Sequence, residues 1–185
     1  KFDNAELSFG HEYHEYRKKW NEYPRRRIVD DFPLHLDIES TNACNLRCTM
    51  CSRNFMSEKI GFIEWSLFQK IVDEGSRYRL PSIKFNYRGE PMLHPQLPKM
   101  VAYAKKKGIV EVQFNTNGLL LNEKKVAELL DAGLDTISFS VDGATKEIVA
   151  SFLPSSPYNS IHFFQRVLSY SLIWFAVRLI DISYS

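Results

Sequence analysis

Cys44-Asn45-Leu46-Arg47-Cys48-Thr49-Met50-Cys51 holds all three cysteines of the 185-residue chain, at spacing Cys-x3-Cys-x2-Cys. Three thiolates this close together can converge on one face of a single loop. They suit three corners of a cubane iron–sulfur cluster, whereas an electron-transfer cubane takes four cysteines. The fourth iron is then open to an outside ligand. An open metal position beside a pocket points to catalysis rather than scaffolding, as it does for zinc. Two plainer readings compete. Zinc needs a fourth ligand, and the nearest histidine, His35, belongs to the preceding strand pattern rather than to the loop. Disulfides fit poorly, because an odd cysteine count crowded into one loop reads as metal binding in a reducing compartment.

Outward from the loop, the pattern is a βα repeat. Leu34 to Glu39 alternates apolar and polar residues and feeds the loop, Ser40 to Met56. A helix pattern begins near Glu64, with Trp65, Leu67, Phe68, Ile71 and Val72 apolar, and stops at Gly75. Ile83 to Tyr87 reads as a second strand, leaving through Arg88-Gly89-Glu90-Pro91. A second helix runs from Gln96 to Lys107, apolar at Leu97, Met100, Val101 and Ala104, and Gly108 closes it. Val110 to Phe114 is a third strand ending in Asn115-Thr116-Asn117-Gly118. Asn122 caps a third helix with Val126, Leu129 and Leu130 inward, ended by Gly133. Thr136 to Val141 is a fourth strand, leaving through Asp142-Gly143. The second, third and fourth strands begin about 27 residues apart, a parallel α/β arrangement. Its polar constellations fall at strand exits, the face where barrels carry their sites.

The cysteine loop after a strand resembles the signature of the radical S-adenosylmethionine (radical SAM) enzymes. The resemblance implies a 4Fe–4S cluster on Cys44, Cys48 and Cys51, with SAM chelating the open iron. One-electron cleavage would then give a 5′-deoxyadenosyl radical that abstracts hydrogen from a substrate. It implies that Gly89, Glu90 and Pro91 receive the SAM ammonium; a carboxylate beside a glycine that admits close backbone approach suits that cation. Asn115 and Asn117 are expected to turn their amides toward ribose or substrate, against the plain alternative of an Asn-Gly turn. Ser140 and Asp142 are expected at the ribose hydroxyls or the methionyl end. His94 reads as structural. Met50 stands where the family usually has an aromatic residue, and a soft apolar side chain can shield a cluster too.

The implied fold is an incomplete TIM-like partial barrel with about four of the usual six βα units. The resemblance covers about residues 34–148, within a core drawn at 34–150. The stretch Asn42-Ala43-Cys44-Asn45-Leu46-Arg47-Cys48 leans toward SPASM-type members with C-terminal auxiliary clusters. An electron donor of flavodoxin or ferredoxin type is implied, in a reducing cytoplasm. The substrate is unreadable, because substrate contacts in the family come from later strands and appended domains.

Residues 1–33 form a polar, basic extension, with six basic residues and one acid between Arg17 and Arg27. A basic stretch with interleaved aromatics can touch RNA, but a solvated extension leaning its rings on the barrel edge is the preferred reading. Residue 1 is Lys, so the chain is not expected to begin at a natural start. Residues 151–185 form an apolar tail whose run Val167 to Val177 carries no charge. That run is about half a membrane span, so no transmembrane helix is expected. The tail reads as a core helix lacking partners, an interfacial segment or, preferred, a truncated or out-of-frame end. Net charge is +2, with 44% hydrophobic and 25% charged residues; nucleic acid and anionic membranes are not indicated globally. Two other functions stay open: a non-catalytic iron–sulfur or SAM-binding fragment, and a zinc-stabilised RNA-binding domain using Arg25 to Arg27.

Overall fold

A computed structural model describes residues 10–140 and 180–183. Strands β1 (His35–Asp37), β2 (Ser82–Lys84), β3 (Glu111–Thr116), β4 (Thr136–Ser140) and β5 (Ile180–Ser183) form one parallel sheet in the order β1-β2-β3-β4-β5. Each strand pairs with its sequence neighbour, as in a barrel. A doubly wound sheet would instead reverse its strand order. The sequence reading finds four strands; the fifth, β5, lies in the stretch read as an apolar tail. Asp142, Gly143 and most of that tail fall outside the described residues.

Helices α2 (Trp65–Arg77), α3 (Leu97–Lys106) and α4 (Glu123–Asp131) cover one face of the sheet. Their buried Phe68, Val72, Leu97, Met100, Val101, Ala104 and Leu129 pack against Ile83, Phe85, Val112, Phe114, Ile137 and Phe139. The apolar spacing read from α3 thus matches its buried face. Asn122 caps α4 by accepting from Lys125 N at 2.9 Å. α2 runs two residues past Gly75. That glycine serves packing rather than termination: a Cβ there would meet Leu80 Cδ2 at 2.8 Å.

The basic extension contains a helix, α1 (His11–Arg26). Tyr13 and Tyr16 are buried against Leu34 and Val110, at the strand entries, and Trp20 sets its ring edge-on to His35. The aromatics therefore lean on the barrel edge as expected, but as part of a formed helix. Among the described residues, no helix is long and apolar enough to cross a membrane.

Candidate metal and cofactor site

The cysteine loop is held at both ends. Ser40 Oγ donates to Phe85 O at 2.7 Å, and Ile63 N donates to Ser40 O at 2.9 Å. Thr41 Oγ1 donates to Gly61 O at 2.7 Å, while Asn42 Oδ1 accepts from Gly61 N at 2.8 Å. The loop between these clamps folds on itself. Cys51 N donates to Cys48 O at 3.0 Å, Asn54 N to Cys51 O at 3.1 Å, and Arg53 Nη2 to Cys44 O at 3.0 Å.

The three cysteines are half-buried and none forms a disulfide. Leu46 N donates to Cys44 Sγ at 3.4 Å, the kind of bond that tunes a cluster sulfur. Burial pushes the Cys44 thiol up, with the charges of Glu90 and Cys51 adding to the rise. Among the described residues, no three His, Cys, Asp or Glu side chains converge on one ion. A cubane does not ask for that, because each thiolate binds its own iron. The donor set, all sulfur on one short loop with a backbone N–H on the first sulfur, fits such a cluster.

Gly89 binds the second constellation to this loop. It sits at φ 74°, and a Cβ there would press on the backbone oxygens of Thr41 and Ala43. The next residue's N–H donates to Ala43 O at 2.7 Å. The Glu90 side chain is only 2% exposed. Its Oε1 accepts from Thr116 Oγ1 at 2.8 Å and Met92 N at 3.1 Å, and Oε2 accepts from Asn117 N at 2.9 Å. Burial raises this carboxyl above its usual range, opposed by the Asn117, Thr116 and Met92 donors. Glu90 thus ties the exit of β2 to the exit of β3, with all three partners inside the protein.

Asn117 closes the arrangement. Its Nδ2 donates to Asn45 Oδ1 at 2.8 Å and lies 4.0 Å from Cys44 Sγ. Its Oδ1 accepts from Leu119 N at 3.0 Å in the turn. The amide expected to face ribose or substrate is therefore engaged with the cysteine loop. Asn115 donates its N–H to Asn86 Oδ1 at 2.9 Å, and Ser140 is exposed at the end of β4.

Several members of the site stand in the quoted motifs but receive no role of their own in the sequence reading. Thr116 is buried and bridges Glu90 to Gly118 N; its one signal is a hydroxyl at an inward position of the third strand. Arg88 grips Glu39 through two nitrogens at 2.7 and 3.0 Å and reaches Met56 Sδ at 3.1 Å. It fastens the far end of the cysteine loop to the same strand exits. His94 is buried, and its Nε2 has no hydrogen-bond partner among the described residues. Its Nδ1 accepts from Gln96 N at 3.1 Å, and its ring edge meets Phe62.

A parallel βα sheet in sequential strand order, with a three-cysteine loop wired to two neighbouring strand exits, defines a scaffold of barrel type. Comparison of sequences makes the class specific: the Radical SAM superfamily profile matches residues 38–168, and the chain belongs to that superfamily. The match runs past residue 148, where the resemblance read from motifs ends. A tungsten-containing aldehyde ferredoxin oxidoreductase cofactor-modifying protein from Pyrococcus furiosus is 38% identical over 109 residues, covering 58% of this chain and 30% of the relative. A GTP 3′,8-cyclase from Chlorobaculum tepidum is 36% identical over 142 residues, covering 72% of this chain and 41% of the relative. The chain thus spans less than half the length of these curated relatives. Among solved structures, anSMEcpe with bound AdoMet aligns at TM-score 0.64 and 22% identity, over 82% of this chain and 43% of that one. Methylornithine synthase aligns at TM-score 0.63 and 9% identity, over 99% of this chain and 54% of that one. At those identities the likeness is one of fold.

Proposed function

We propose that this chain is the N-terminal part of a radical SAM enzyme's catalytic core, with residues 34–150 forming that core. Cys44, Cys48 and Cys51 would hold a 4Fe–4S cluster. SAM would lie across the strand exits marked by Gly89, Glu90, Pro91, Asn115, Asn117, Ser140 and Asp142. The observation that carries the reading is the wiring of three exits into one unit, Cys44–Asn45 to Asn117 to Glu90 and back to Ala43. When bound, the pair supplies reductive cleavage of a sulfonium to a 5′-deoxyadenosyl radical, and hence hydrogen-atom abstraction from a substrate.

The chain's own residues do the positioning. Leu46 N–H and the Asn117 amide lie against Cys44 Sγ and stabilise charge on it. Gly89 lets the turn lie flat on the loop stem. Glu90 contributes its carboxylate mainly as a clamp, so an ammonium at this turn would be met chiefly by backbone carbonyls. A flavodoxin- or ferredoxin-type reductant would supply the electron, in a reducing cytoplasm.

The test is anaerobic reconstitution with iron and sulfide, followed by dithionite and SAM. Cluster uptake with formation of 5′-deoxyadenosine supports the proposal; a chain that binds zinc without sulfide sinks it. A second reading, a cluster- and SAM-binding fragment without turnover, is favoured by the 30–41% of the relatives' length that the chain spans. It expects cluster uptake with no 5′-deoxyadenosine.

A further inference from the structure

The cysteine loop meets the strand exits through Asn117 and Glu90, while its residues Arg47, Thr49, Met50, Ser52 and Phe55 are exposed. The short turn Ser52–Phe55 is bonded to all three cysteines. Arg53 Nη2 donates to Cys44 O at 3.0 Å, Asn54 Nδ2 to Cys48 O at 2.6 Å and Asn54 N to Cys51 O at 3.1 Å. Phe55, the last residue of this turn, is nonetheless 85% exposed, and Met50, between the second and third cysteines, is 52% exposed. Ile60 is also exposed, beside the loop stem where Asn42 Nδ2 donates to Lys59 O at 3.1 Å. Single exposed apolar residues are ordinary, but three fixed around one three-cysteine loop point to something that covers them.

The charge around these three is one-sided. Between Ser40 and Phe62 the chain carries Arg47, Arg53 and Lys59 against a single acid, Glu58. Glu58 is engaged by Arg88 at 3.4 Å. Arg47 and Lys59 are exposed, and neither has an ion-pair partner among the described residues. A rim of this sign attracts an acidic partner and repels a basic one. The apolar centre is small, as suits a redox encounter, which buries less than about 1,200 Å² in total.

We propose that this face docks the reductant, a flavin-carrying protein with an acidic surface. The proposal rests on the function proposed above. The apolar edge of the flavin would meet Phe55 and Met50, and carboxylates around it would meet Arg47 and Lys59. Charge selects the acidic partner. Position selects an electron carrier, because the turn that ends in Phe55 is bonded to the backbone of the three residues that would hold the cluster. One electron leaves the carrier's anionic flavin hydroquinone, which becomes the neutral flavin radical, and the cluster gains it. No proton moves, and no bond forms between the proteins.

The test uses the full chain reconstituted anaerobically with iron and sulfide. It is mixed by stopped flow with an acidic flavodoxin in its hydroquinone form, and bleaching of the cluster gives a second-order rate constant. Arg47→Glu combined with Lys59→Glu is expected to slow that rate about tenfold at low ionic strength, with the gap closing as salt screens the charges. Phe55→Ser is expected to slow it about threefold at every salt concentration. Arg25→Glu combined with Arg26→Glu, on α1 at the strand entries, changes net charge equally and should leave the rate within about twofold of wild type. Carbodiimide cross-linking, read by mass spectrometry, should join Lys59 to a carboxylate of the carrier. The docking is overturned if either loop variant matches wild type, if the α1 variant slows the reaction as much as the loop variant, or if cross-links form only at Lys18 and Lys19. It is also overturned if dithionite reduces the cluster and the hydroquinone does not. A chain that takes up no iron or sulfide would instead overturn the enzyme reading, and with it the need for a carrier.

Discussion

Gly89→Ala separates the work of a glycine's conformation from the work of its missing side chain. Gly89 and Gly108 both have positive φ, 74° and 87°. At Gly108 an added Cβ meets nothing within 4 Å, so alanine there costs only the left-handed conformation, about 1 kcal/mol. At Gly89 the same methyl meets Thr41 O inside van der Waals distance and Ala43 O at 2.8 Å. Both are backbone atoms of the cysteine-loop stem and cannot swing aside as a side chain would. Relief requires the turn to lift, which breaks the 2.7 Å bond from Glu90 N to Ala43 O, about another 1 kcal/mol. Together with overpacking of about 1–3 kcal/mol, Gly89→Ala is expected to cost about 3–5 kcal/mol and Gly108→Ala about 1. Urea unfolding of the apo chains measures both, and iron and sulfide content after reconstitution reads the site. Gly89→Ala should lose cluster while Gly108→Ala keeps it. Equal destabilisation with equal cluster content would refute the claim that the turn and the loop stem are one body.

Glu90→Gln places an amide NH2 against one of three N–H or O–H donors and is expected to cost about 1–3 kcal/mol. Because the folded carboxyl is raised by burial, its stabilisation is full below the ordinary glutamate pKa and fades as pH rises through the folded value. The wild-type advantage over Glu90→Gln should therefore shrink toward alkaline pH in denaturation series, and a widening gap contradicts the stated cause. Phe68→Ala empties a fully buried position packed on Trp65, Phe85 and Tyr103 and should cost about 3–5 kcal/mol in the same assay. Asn122→Ala removes the α4 cap and should cost about 1 kcal/mol, without changing cluster content.

The order of strands and helices was legible because it rests on local periodicity. Leu97, Met100, Val101 and Ala104 share one helical face whatever lies opposite, and Asn122 caps its own helix three residues on. The cysteine loop was legible for the same reason, since its chemistry lies within eight residues. β5 was not read, although Ile180-Asp181-Ile182-Ser183 alternates apolar and polar residues, because four residues beside the long uncharged run Val167 to Val177 read with it as one apolar tail.

What the sequence alone determined is the parallel βα scaffold and the thiolate trio at its first exit, both written in neighbours along the chain. What only the tertiary structure decided is how the polar residues are spent. Asn117 meets Asn45 across 72 positions and Arg88 meets Glu39 across 49. Glu111, on the alternating face that the pattern alone marks as polar, is buried beneath α1 beside Ser82 and His35. A side chain's hydrogen-bond partner depends on which strands become adjacent, and adjacency follows from burying the helix-facing apolar surface, not from the identity of the polar residue itself.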